Sequence, residues 1–391
     1  MSYEARGVSA RKEDVHAATA GLDKGLYPDT FCKVLPDFMA HDPAYANLLH
    51  ADGAGTKSAL AYAYWRQTGD LSVWAGIAQD ALVMNFDDMA CAGAMQDFVV
   101  SSSIGRHKRR IPGAVLTAII QGTQAFLDQM AEWGISAHFA GGETADLGDL
   151  VQTIVVDATV MARMPQEKVV RNRLSAGQVV IGLASSGQAR YESAYNTGIG
   201  SNGLTLARHE LLSPETGRHY PETFDETTEP GLVYRGPYRL TDPLPGMPLD
   251  AGRALLSPTR TYLPFLKPLL AEYQQHVNGL IHCTGGGQTK VNHFLTPGLK
   301  VVKDQMMPIP PLFEAIQKTA SLDWREMYQV FNMGHRLELY TDERTAETAL
   351  DLARSLDLDA KTIGRVEEAE TTEAEGVVIH HGDRKLFYPR R

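Results

Sequence analysis

Cysteine is scarce in this chain of 391 residues. Cys32, Cys91 and Cys283 are its three thiols, and none of them forms a CxxC pair. An odd number of scattered thiols, with no signal peptide, argues against a disulfide framework and is typical of a reducing cytoplasm. No apolar run approaches the roughly 20 residues that a bilayer-spanning helix needs. We therefore expect a cytoplasmic protein without a membrane-spanning segment.

An excess of positive charge is also missing. The chain has 37 Lys and Arg against 47 Asp and Glu, a formal net charge of −10. This balance argues against broad binding to nucleic acid or to anionic membranes. An anionic substrate would have to be held by local cations, backbone amides and a metal ion. The apolar content of 43% is enough for two domains with a core each.

The pattern along the chain indicates two domains of α/β (α+β) class. Residues 151–161 read as a strand, 165–173 are polar and charged, and a new apolar strand begins at 177. Helical periods at 113–130 and 345–356 alternate with strand-like runs in both halves. We predict an amino-terminal domain over 1–168 and a carboxy-terminal domain over 169–391. The proline-rich stretch 213–252 is expected to form an irregular excursion of the second domain.

A DGAGTK sequence at 52–57 follows an apolar run. Asp52 supplies hard oxygen ligands for Mg²⁺, Gly53 and Gly55 allow backbone amides to approach phosphate, and Lys57 adds a positive charge. Thr56 precedes the lysine, so the spacing is not that of a Walker loop. An ordinary strand-to-helix turn is the alternative.

Further acidic residues lie in two separate stretches. In GGETAD at 141–146, Glu143 and Asp146 are expected where a strand ends in a flexible loop. Within a predicted helix over 76–95, Asp80 and Asp87 are seven residues apart and therefore share a face, with Asp88 beside it. A solvated helix face is the alternative, but the neighbours of Asp87 and Asp88 are too apolar for a typical exposed face.

Two glycine motifs lie in the second half. Ser201-Asn202-Gly203 precedes a helical run over 204–211, where a helix cap is as good an explanation as a ligand contact. The run from Thr284 through Gly285, Gly286 and Gly287 would let successive amides face an anion, with a bare turn as the alternative. Cys283 and His335 are interpreted as structural residues.

These motifs occur in the order found in one enzyme family. DGAGTK, the Asp87-Asp88 pair, GGETAD, Ser-Asn-Gly, LLSPTRTY at 255–262, TGGG and FNMG at 331–334 resemble phosphoribosylformylglycinamidine cyclo-ligase, also called aminoimidazole ribonucleotide synthetase. The resemblance implies two related α/β domains and a homodimer in which the amino-terminal domains pair their strands. It also implies ATP-dependent closure of the imidazole ring of formylglycinamidine ribonucleotide, with release of ADP and phosphate.

The resemblance also implies roles for residues. Asp52, Asp80, Asp88 and Glu143 would position Mg²⁺ and the ATP phosphates, with Asp87 and Asp146 as second candidates, and Lys57 and Asp88 would be catalytic. The expected ATP contacts are Asp52, Gly53, Gly55, Thr56, Lys57, Gly141, Gly142 and Thr144. The expected substrate contacts are Ser201, Asn202, Gly203, Thr284, Gly285, Gly286 and Gly287. ATP and Mg²⁺ are the implied cofactors, and a requirement for K⁺ is left open.

Some positions depart from the family pattern. Ile199 and Gly200 stand where a histidine is expected before Ser201, so Asn196, His209 or His282 would have to replace it in space. The 25–32 stretch has fewer glycines than expected, and Gln288-Thr289-Lys290 follows TGGG. These departures indicate a divergent branch. They leave two alternatives open: a phosphotransferase of the selenophosphate synthetase or thiamine-monophosphate kinase type, and a catalytically silent nucleotide-binding relative.

Overall fold

The computed structural model describes residues 3–8 and 13–390, which build two separate β-sheets. The first sheet has five strands in the order β1-β2-β5-β3-β4, and only β3 and β4 are paired in parallel. Its strands are β1 (Val34–Pro36), β2 (Tyr45–Gly53), β3 (Phe98–Arg106), β4 (Ala137–Asp146) and β5 (Ile154–Pro165). Burial alternates along β5 because one face of this sheet is covered and the other is open.

Helices cover one face of the first sheet. The helices of this half are α1 (Glu13–Thr19), α2 (Lys57–Thr68), α3 (Val73–Ala90) and α4 (Gly113–Glu132). Helix α3 packs on β2, β5 and α4, and it also contacts the second half of the chain. Its sequence is apolar on nearly all sides, as a helix between two packed layers requires. Helix α3 therefore links the two halves.

The second sheet has seven strands in the order β12-β11-β8-β10-β6-β9-β7. They are β6 (Val179–Ala184), β7 (Val277–His282), β8 (Leu299–Lys303), β9 (His335–Thr341), β10 (Ala360–Glu368), β11 (Gly376–His381) and β12 (Arg384–Pro389). All seven residues of β9 are buried, although three of them are His335, Arg336 and Glu338. Ionisable groups in a buried strand need polar partners, so these three residues of β9 are expected to form hydrogen bonds inside the fold.

The helices of the second half are mostly short. They are α5 (Leu204–Leu211), α6 (Pro214–His219), α7 (Ala251–Leu255), α8 (Leu263–Tyr273), α9 (Pro311–Ala320), α10 (Trp324–Val330) and α11 (Glu343–Ser355). Asp342 caps α11 by accepting a hydrogen bond from the Thr345 amide. None of the helices in the described ranges is both long and apolar enough to cross a bilayer.

The 213–252 excursion lies between the two halves. It contains α6 and the 3-10 turns Pro221–Thr223 and Pro230–Leu232. Tyr62 on α2 donates a hydrogen bond to Glu222, and Tyr64 donates to Asp250 at 2.8 Å. The excursion is therefore packed against the first half as well as the second.

The predicted α/β class is confirmed, and the helices expected at 113–130 and 345–356 are α4 and α11. The first sheet ends at Pro165 and the second begins at Val179; the boundary between 168 and 169 stays a prediction. The loop expected at Glu143 and Asp146 is wrong, since both lie within β4. A register shift between Val100 and Ser102, opposite a glycine-rich stretch, lets the strand continue through GGETAD.

Candidate active site

Two of the three acidic residues of α3 are held by one segment of the second half, residues 257–262. Asp80 accepts hydrogen bonds from the Thr259 amide at 2.8 Å and the Thr259 hydroxyl at 2.6 Å. Asp87 accepts from the Thr261 hydroxyl at 2.7 Å and the Tyr262 amide at 3.1 Å. The solvated-face alternative is therefore wrong for this helix. Asp80 and Asp87 share a face, as their spacing predicts.

Lys57 forms a buried ion pair with Asp80. Its Nζ lies 2.9 Å from Asp80 Oδ1 and also donates to the Ser257 carbonyl, and both side chains are fully buried. Burial lowers the pKa of Lys57, and the Asp80 carboxylate opposes that shift. Lys57 therefore links α2 to α3 and to the second half. A contact between Lys57 and a nucleotide phosphate stays a prediction.

Asp88, the third acid, is surrounded by His50, His282 and Arg336. We call these four residues the Asp88 centre. Asp88 Oδ1 lies 2.7 Å from His282 Nδ1, and Asp88 Oδ2 lies 3.5 Å from His50 Nε2. Arg336 Nε donates to His282 Nε2 at 2.8 Å. Strands β2, β7 and β9 and helix α3 thus each contribute one residue at the junction of the two halves.

The contacts of His282 fix its protonation. An arginine Nε–H only donates, so His282 Nε2 must accept, and the proton is on Nδ1, facing Asp88. Burial lowers the pKa of His282 to about 4. Burial acts to raise the pKa of Asp88, but hydrogen bonding to His282 and the nearby His50 and Lys290 bring it below the usual value. The pair at neutral pH is therefore a carboxylate and a neutral imidazole.

Asp87 differs from Asp88 although the two are adjacent. Burial raises the pKa of Asp87 to about 7, in spite of hydrogen bonds from Thr261 and Tyr262. Two neighbouring carboxyl groups whose pKa values are pushed apart are typical of sites that transfer protons.

Arg336 occupies the space created by Gly200. A Cβ built on Gly200 would lie 1.5 Å from Arg336 Nη1, so any other side chain at 200 would displace the guanidinium. Arg336 Nη2 also approaches Asn202 Oδ1 at 3.5 Å. Because the histidine expected before Ser201 is replaced by Gly200, a cation from β9 reaches the Ser-Asn-Gly loop instead. Arg336 and His50 were not predicted from the sequence. For Arg336, a signal was available: two ionisable residues directly follow FNMG in an otherwise apolar strand.

The substitutes considered for the absent histidine lie in different places. His282 belongs to the Asp88 centre. His209 is buried against the excursion and accepts a hydrogen bond from the Tyr234 amide. The Asn196 amide donates to the Pro258 carbonyl at 2.7 Å. Only His282 among the three contacts one of the predicted acids.

The DGAGTK stretch begins at the end of β2, beside Asp157 of the neighbouring strand. Gly53 pairs with Asp157 of β5, and a Cβ on Gly53 would lie 1.7 Å from Asp157 Oδ1. Burial and the charge of Asp52 together raise the pKa of Asp157. Asp157 was not predicted.

Glu143 lies away from Asp52. The register of the sheet places Glu143 in one row with Ser103, Asp157 and Gly53, whereas Asp52 is in the adjacent row with Ala158. Adjacent rows face opposite sides of a sheet, so Asp52 and Glu143 point in opposite directions. Gly141, Gly142 and Thr144 lie in the same strand as Glu143. Within one chain, therefore, the predicted metal-binding carboxylates do not all converge on a single cation.

Asp146 is held by cations. Arg106 lies 2.8 Å and Lys108 3.1 Å from its carboxylate, and their hydrogen bonds lower its pKa. These contacts make Asp146 a structural ion-pair residue in this arrangement.

The two glycine motifs pack together beside Phe331. Gly203, with φ +78°, has the ring of Phe331 where a Cβ would be, and Gly287, with φ +50°, has the Phe331 and Tyr328 carbonyls. Ser201 and Asn202 precede α5, while Thr284, Gly285 and Gly286 lead into a 3-10 helix. Thr284 follows His282 by two residues. The structure therefore brings both predicted substrate loops close to the Asp88 centre.

A second polar cluster lies below the TGGG loop. Lys303, His335 and Tyr340 all bond Glu338, with His335 Nε2 at 3.0 Å and Tyr340 Oη at 2.6 Å. Burial opposes ionisation of Glu338, but Lys303 and His335 lower its pKa to about 2. Cys283 lies beside this cluster, and burial raises its thiol pKa well above the ordinary value. The structural interpretation of Cys283 and His335 agrees with these contacts.

Comparison with known proteins identifies the family. A family model described as "AIR synthase related protein, N-terminal domain" matches residues 34–164. A second model, described as "AIR synthase related protein, C-terminal domain", matches residues 175–376. The chain belongs to the AIR synthase related protein family. Its two-domain organisation and the resemblance inferred from the motifs are thereby confirmed.

Two relatives show the level of similarity. Phosphoribosylformylglycinamidine cyclo-ligase from Staphylococcus carnosus is 29% identical over 81% of this chain and 79% of its own length. The protein of the same name from Methanococcus maripaludis is 26% identical over 99% of both chains.

Among solved structures, "AaThiL complexed with AMPPCP and TMP" has a TM-score of 0.54 at 14% identity and covers 96% of this chain and 95% of its own. Escherichia coli HypE, a hydrogenase maturation protein, has a TM-score of 0.51 at 17% identity, covering 81% and 79%. At these identities the likeness establishes the fold.

Proposed function

We propose that this family member catalyses ATP-dependent closure of formylglycinamidine ribonucleotide to aminoimidazole ribonucleotide, forming a carbon–nitrogen bond and releasing ADP and phosphate in purine biosynthesis. The observation that carries the proposal is the Asp88 centre. It joins a carboxylate, a neutral imidazole and a guanidinium at the junction of the two domains, next to both glycine loops. The relatives named cyclo-ligase, which match most of the chain, support the same reaction.

Three residues of the Asp88 centre, together with the neighbouring Asp87, have a defined task in this proposal. Asp88 holds the Nδ1–H tautomer of His282, so that Nε2 is directed at Arg336. The Arg336 guanidinium beside Gly200 and Asn202 stabilises negative charge that develops on the activated formyl oxygen. Asp87, whose pKa is about 7, can exchange a proton near neutral pH. Ring closure requires loss of a proton from the attacking nitrogen, which such a group can support.

ATP and Mg²⁺ are the cofactors that we propose. Bound ATP would supply the phosphoryl group that turns the formyl oxygen into a leaving group, and Mg²⁺ would neutralise phosphate charge. The Asp52 carboxylate at the end of β2, next to the turn that leads to α2, is the oxygen donor that would fit a hard cation. Gly53, Gly55 and Thr56 follow in the turn to α2 and would face the phosphates.

We also propose that the chain acts as a homodimer through the first sheet. The face of this sheet opposite α3 carries large exposed apolar residues: Leu49 is 56% exposed, Val99 42% and Val155 40%. Glu143 and Asp157 belong to the same face. A second copy would bury the apolar residues and bring the Glu143 row of one chain against the other.

The test measures product formation directly. Purified chain, ATP, Mg²⁺ and formylglycinamidine ribonucleotide should give aminoimidazole ribonucleotide and ADP in equal amounts, with and without K⁺. His282→Gln should reduce turnover, and Lys33→Met, at an exposed ion pair with Asp23, is the matched control. Growth of a purine auxotroph that lacks this step should be restored by the parent chain. Absence of product with both substrates bound would overturn the proposal.

A phosphotransferase reaction is the second candidate. The likeness to the ThiL structure, a complex with AMPPCP and TMP, extends over nearly the whole chain. Incubation with ATP and thiamine monophosphate, or with selenide, followed by nucleotide and phosphorus analysis separates these acceptors from ring closure. ATP binding with no turnover of any acceptor would favour a silent nucleotide-binding relative.

A further inference from the structure

A cavity of about 450 Å³ lies between α2, α5 and the excursion. Thr56 of the DGAGTK stretch, Thr205 and Arg208 of α5, and Thr223 of the excursion are among its lining residues. The hydroxyls of Thr56 and Thr205 are 2.9 Å apart. The cavity is therefore adjacent to the DGAGTK turn, and one of its walls comes from the excursion.

Arg208 is a buried cation that lacks a counter-ion among the described residues. It is 3% exposed, and no described carboxylate pairs with it. Its Nη1 donates to the Thr223 carbonyl at 2.6 Å and to the Tyr234 hydroxyl at 2.9 Å. Its Nε is buried and makes no hydrogen bond within the described ranges. The excursion thus fixes one side of the guanidinium, and the Nε–Nη2 edge has no acid partner among the described residues.

The Nε–Nη2 edge is the one that other arginines of the chain use to bind acids. Arg171 donates from Nε and Nη2 to the two oxygens of Asp29, at 2.7 and 2.8 Å. Arg260 binds Glu192 with the same two nitrogens. Two parallel donors match the oxygens of a carboxylate or a phosphate. A buried guanidinium whose paired edge has no acid partner therefore has the form of an anion-binding group.

The charges around the cavity leave Arg208 as its available cation. Arg6 also lines it, but Arg6 is paired with Glu210. His209 is neutral near pH 7, because burial lowers its pKa to about 2. Two carboxylates also line the cavity: Glu222 accepts a hydrogen bond from Tyr62 of α2, and Asp225 accepts two from the amide and the hydroxyl of Thr227.

We infer that this cavity binds a phosphate group of a substrate, held by the Nε–Nη2 edge of Arg208, with the Thr56 and Thr205 hydroxyls as further donors. A phosphate group rather than a carboxylate is favoured because the neighbouring turn carries hydroxyls and glycine amides. Two sources have this chemistry: the ribose phosphate of the ribonucleotide and the polyphosphate of ATP. The choice between them rests on the proposed function, whereas the anion site itself does not.

The experiment is calorimetric titration of the full chain with three probes: formylglycinamidine ribonucleotide, ATP with Mg²⁺, and inorganic phosphate. Arg208→Lys keeps the charge but removes the paired donors, and should weaken binding of one nucleotide probe by about 10- to 100-fold. Loss confined to the ribonucleotide assigns the ribose phosphate, and loss confined to ATP assigns the polyphosphate. Arg239→Lys, at an exposed excursion residue paired with Glu215, is the control and should bind like the parent.

A second variant separates binding from folding. Ala59→Leu adds bulk to the cavity from α2 and keeps Arg208, so it should weaken the same probe while circular dichroism stays unchanged. Unchanged affinity of both nucleotide probes in Arg208→Lys, or no binding of any probe to the parent chain, overturns the inference. Binding through Arg208 without ring closure would refute the proposed function alone. Ring closure with unchanged binding in Arg208→Lys would refute this inference alone.

Discussion

Replacing Lys57 with methionine tests whether the buried pair with Asp80 holds the two domains together. The change removes the ammonium group and preserves most of the side-chain volume. Asp80 then keeps its hydrogen bonds to Thr259, but its carboxylate is fully buried without a cation, and its Oδ2 has no described partner. We expect the free energy of unfolding to fall.

The magnitude follows from the burial of both groups. Removing one partner of a buried ion pair typically costs about 3–5 kcal/mol, because the remaining charge is left uncompensated. The two bonds from Thr259 offset part of that cost, so about 3 kcal/mol is expected for Lys57→Met. Asp80→Asn leaves the buried Lys57 ammonium without a counter-ion, bonded to the Ser257 carbonyl. It should lower the free energy of unfolding by about the same amount. The double variant should lose clearly less than the sum of the two.

The assay is urea unfolding at pH 7 followed by circular dichroism, for the parent, both single variants and the double variant. Lys33→Met, which removes an exposed cation, is the control and should leave the unfolding midpoint unchanged. Additive losses in the double variant, or a Lys57→Met midpoint equal to that of the parent, would refute the reasoning. The Michaelis constant for ATP is measured on the same samples. An unchanged constant would restrict Lys57 to a structural role.

Three further changes test other parts of the site. Arg336→Lys cannot both donate to His282 and reach the Gly200 loop, so kcat/KM should fall by about 10- to 100-fold with little change in melting temperature. The pKa of His282 is lowered from 6.5 to about 4, so the unfolded chain binds more protons between these values, and stability falls as pH falls. The stability difference between the parent and His282→Gln should therefore shrink by about 3 kcal/mol from pH 6.5 to 4, as urea titrations at several pH values can measure. Leu49→Glu should convert the dimer to a monomer in light scattering, with Leu71→Glu as the control, and a monomeric parent would refute the dimer proposal.

Much of the fold follows from local patterns, because helix and strand periods depend on neighbouring residues. The limits of α5 coincide with the predicted run, and α4 and α11 differ from theirs by a residue or two. GGETAD was misread as a loop because glycines also occur in bulged strands. The shared face of Asp80 and Asp87 followed from helix geometry alone. In contrast, their partners at 259–262 depend on contacts across about 180 positions, which spacing does not reveal.

The site shows the same limit. Asp88, the Ser-Asn-Gly loop and TGGG could be found from motifs, and the structure places them near one another. Arg336 and His50 could not, since their importance comes from which residues they meet. Lys57 appeared suited to phosphate because its motif is rich in glycine and acid, yet its nearest acid is on the following helix.

The segment 257–262 crosses the boundary between the domains in successive steps. Its Ser257 carbonyl accepts a hydrogen bond from Lys57, Thr259 donates to Asp80, and Thr261 and Tyr262 donate to Asp87. Separating the lobes would break these hydrogen bonds together, so a wide hinge opening is energetically unfavourable. The two lobes should therefore melt in a single cooperative transition.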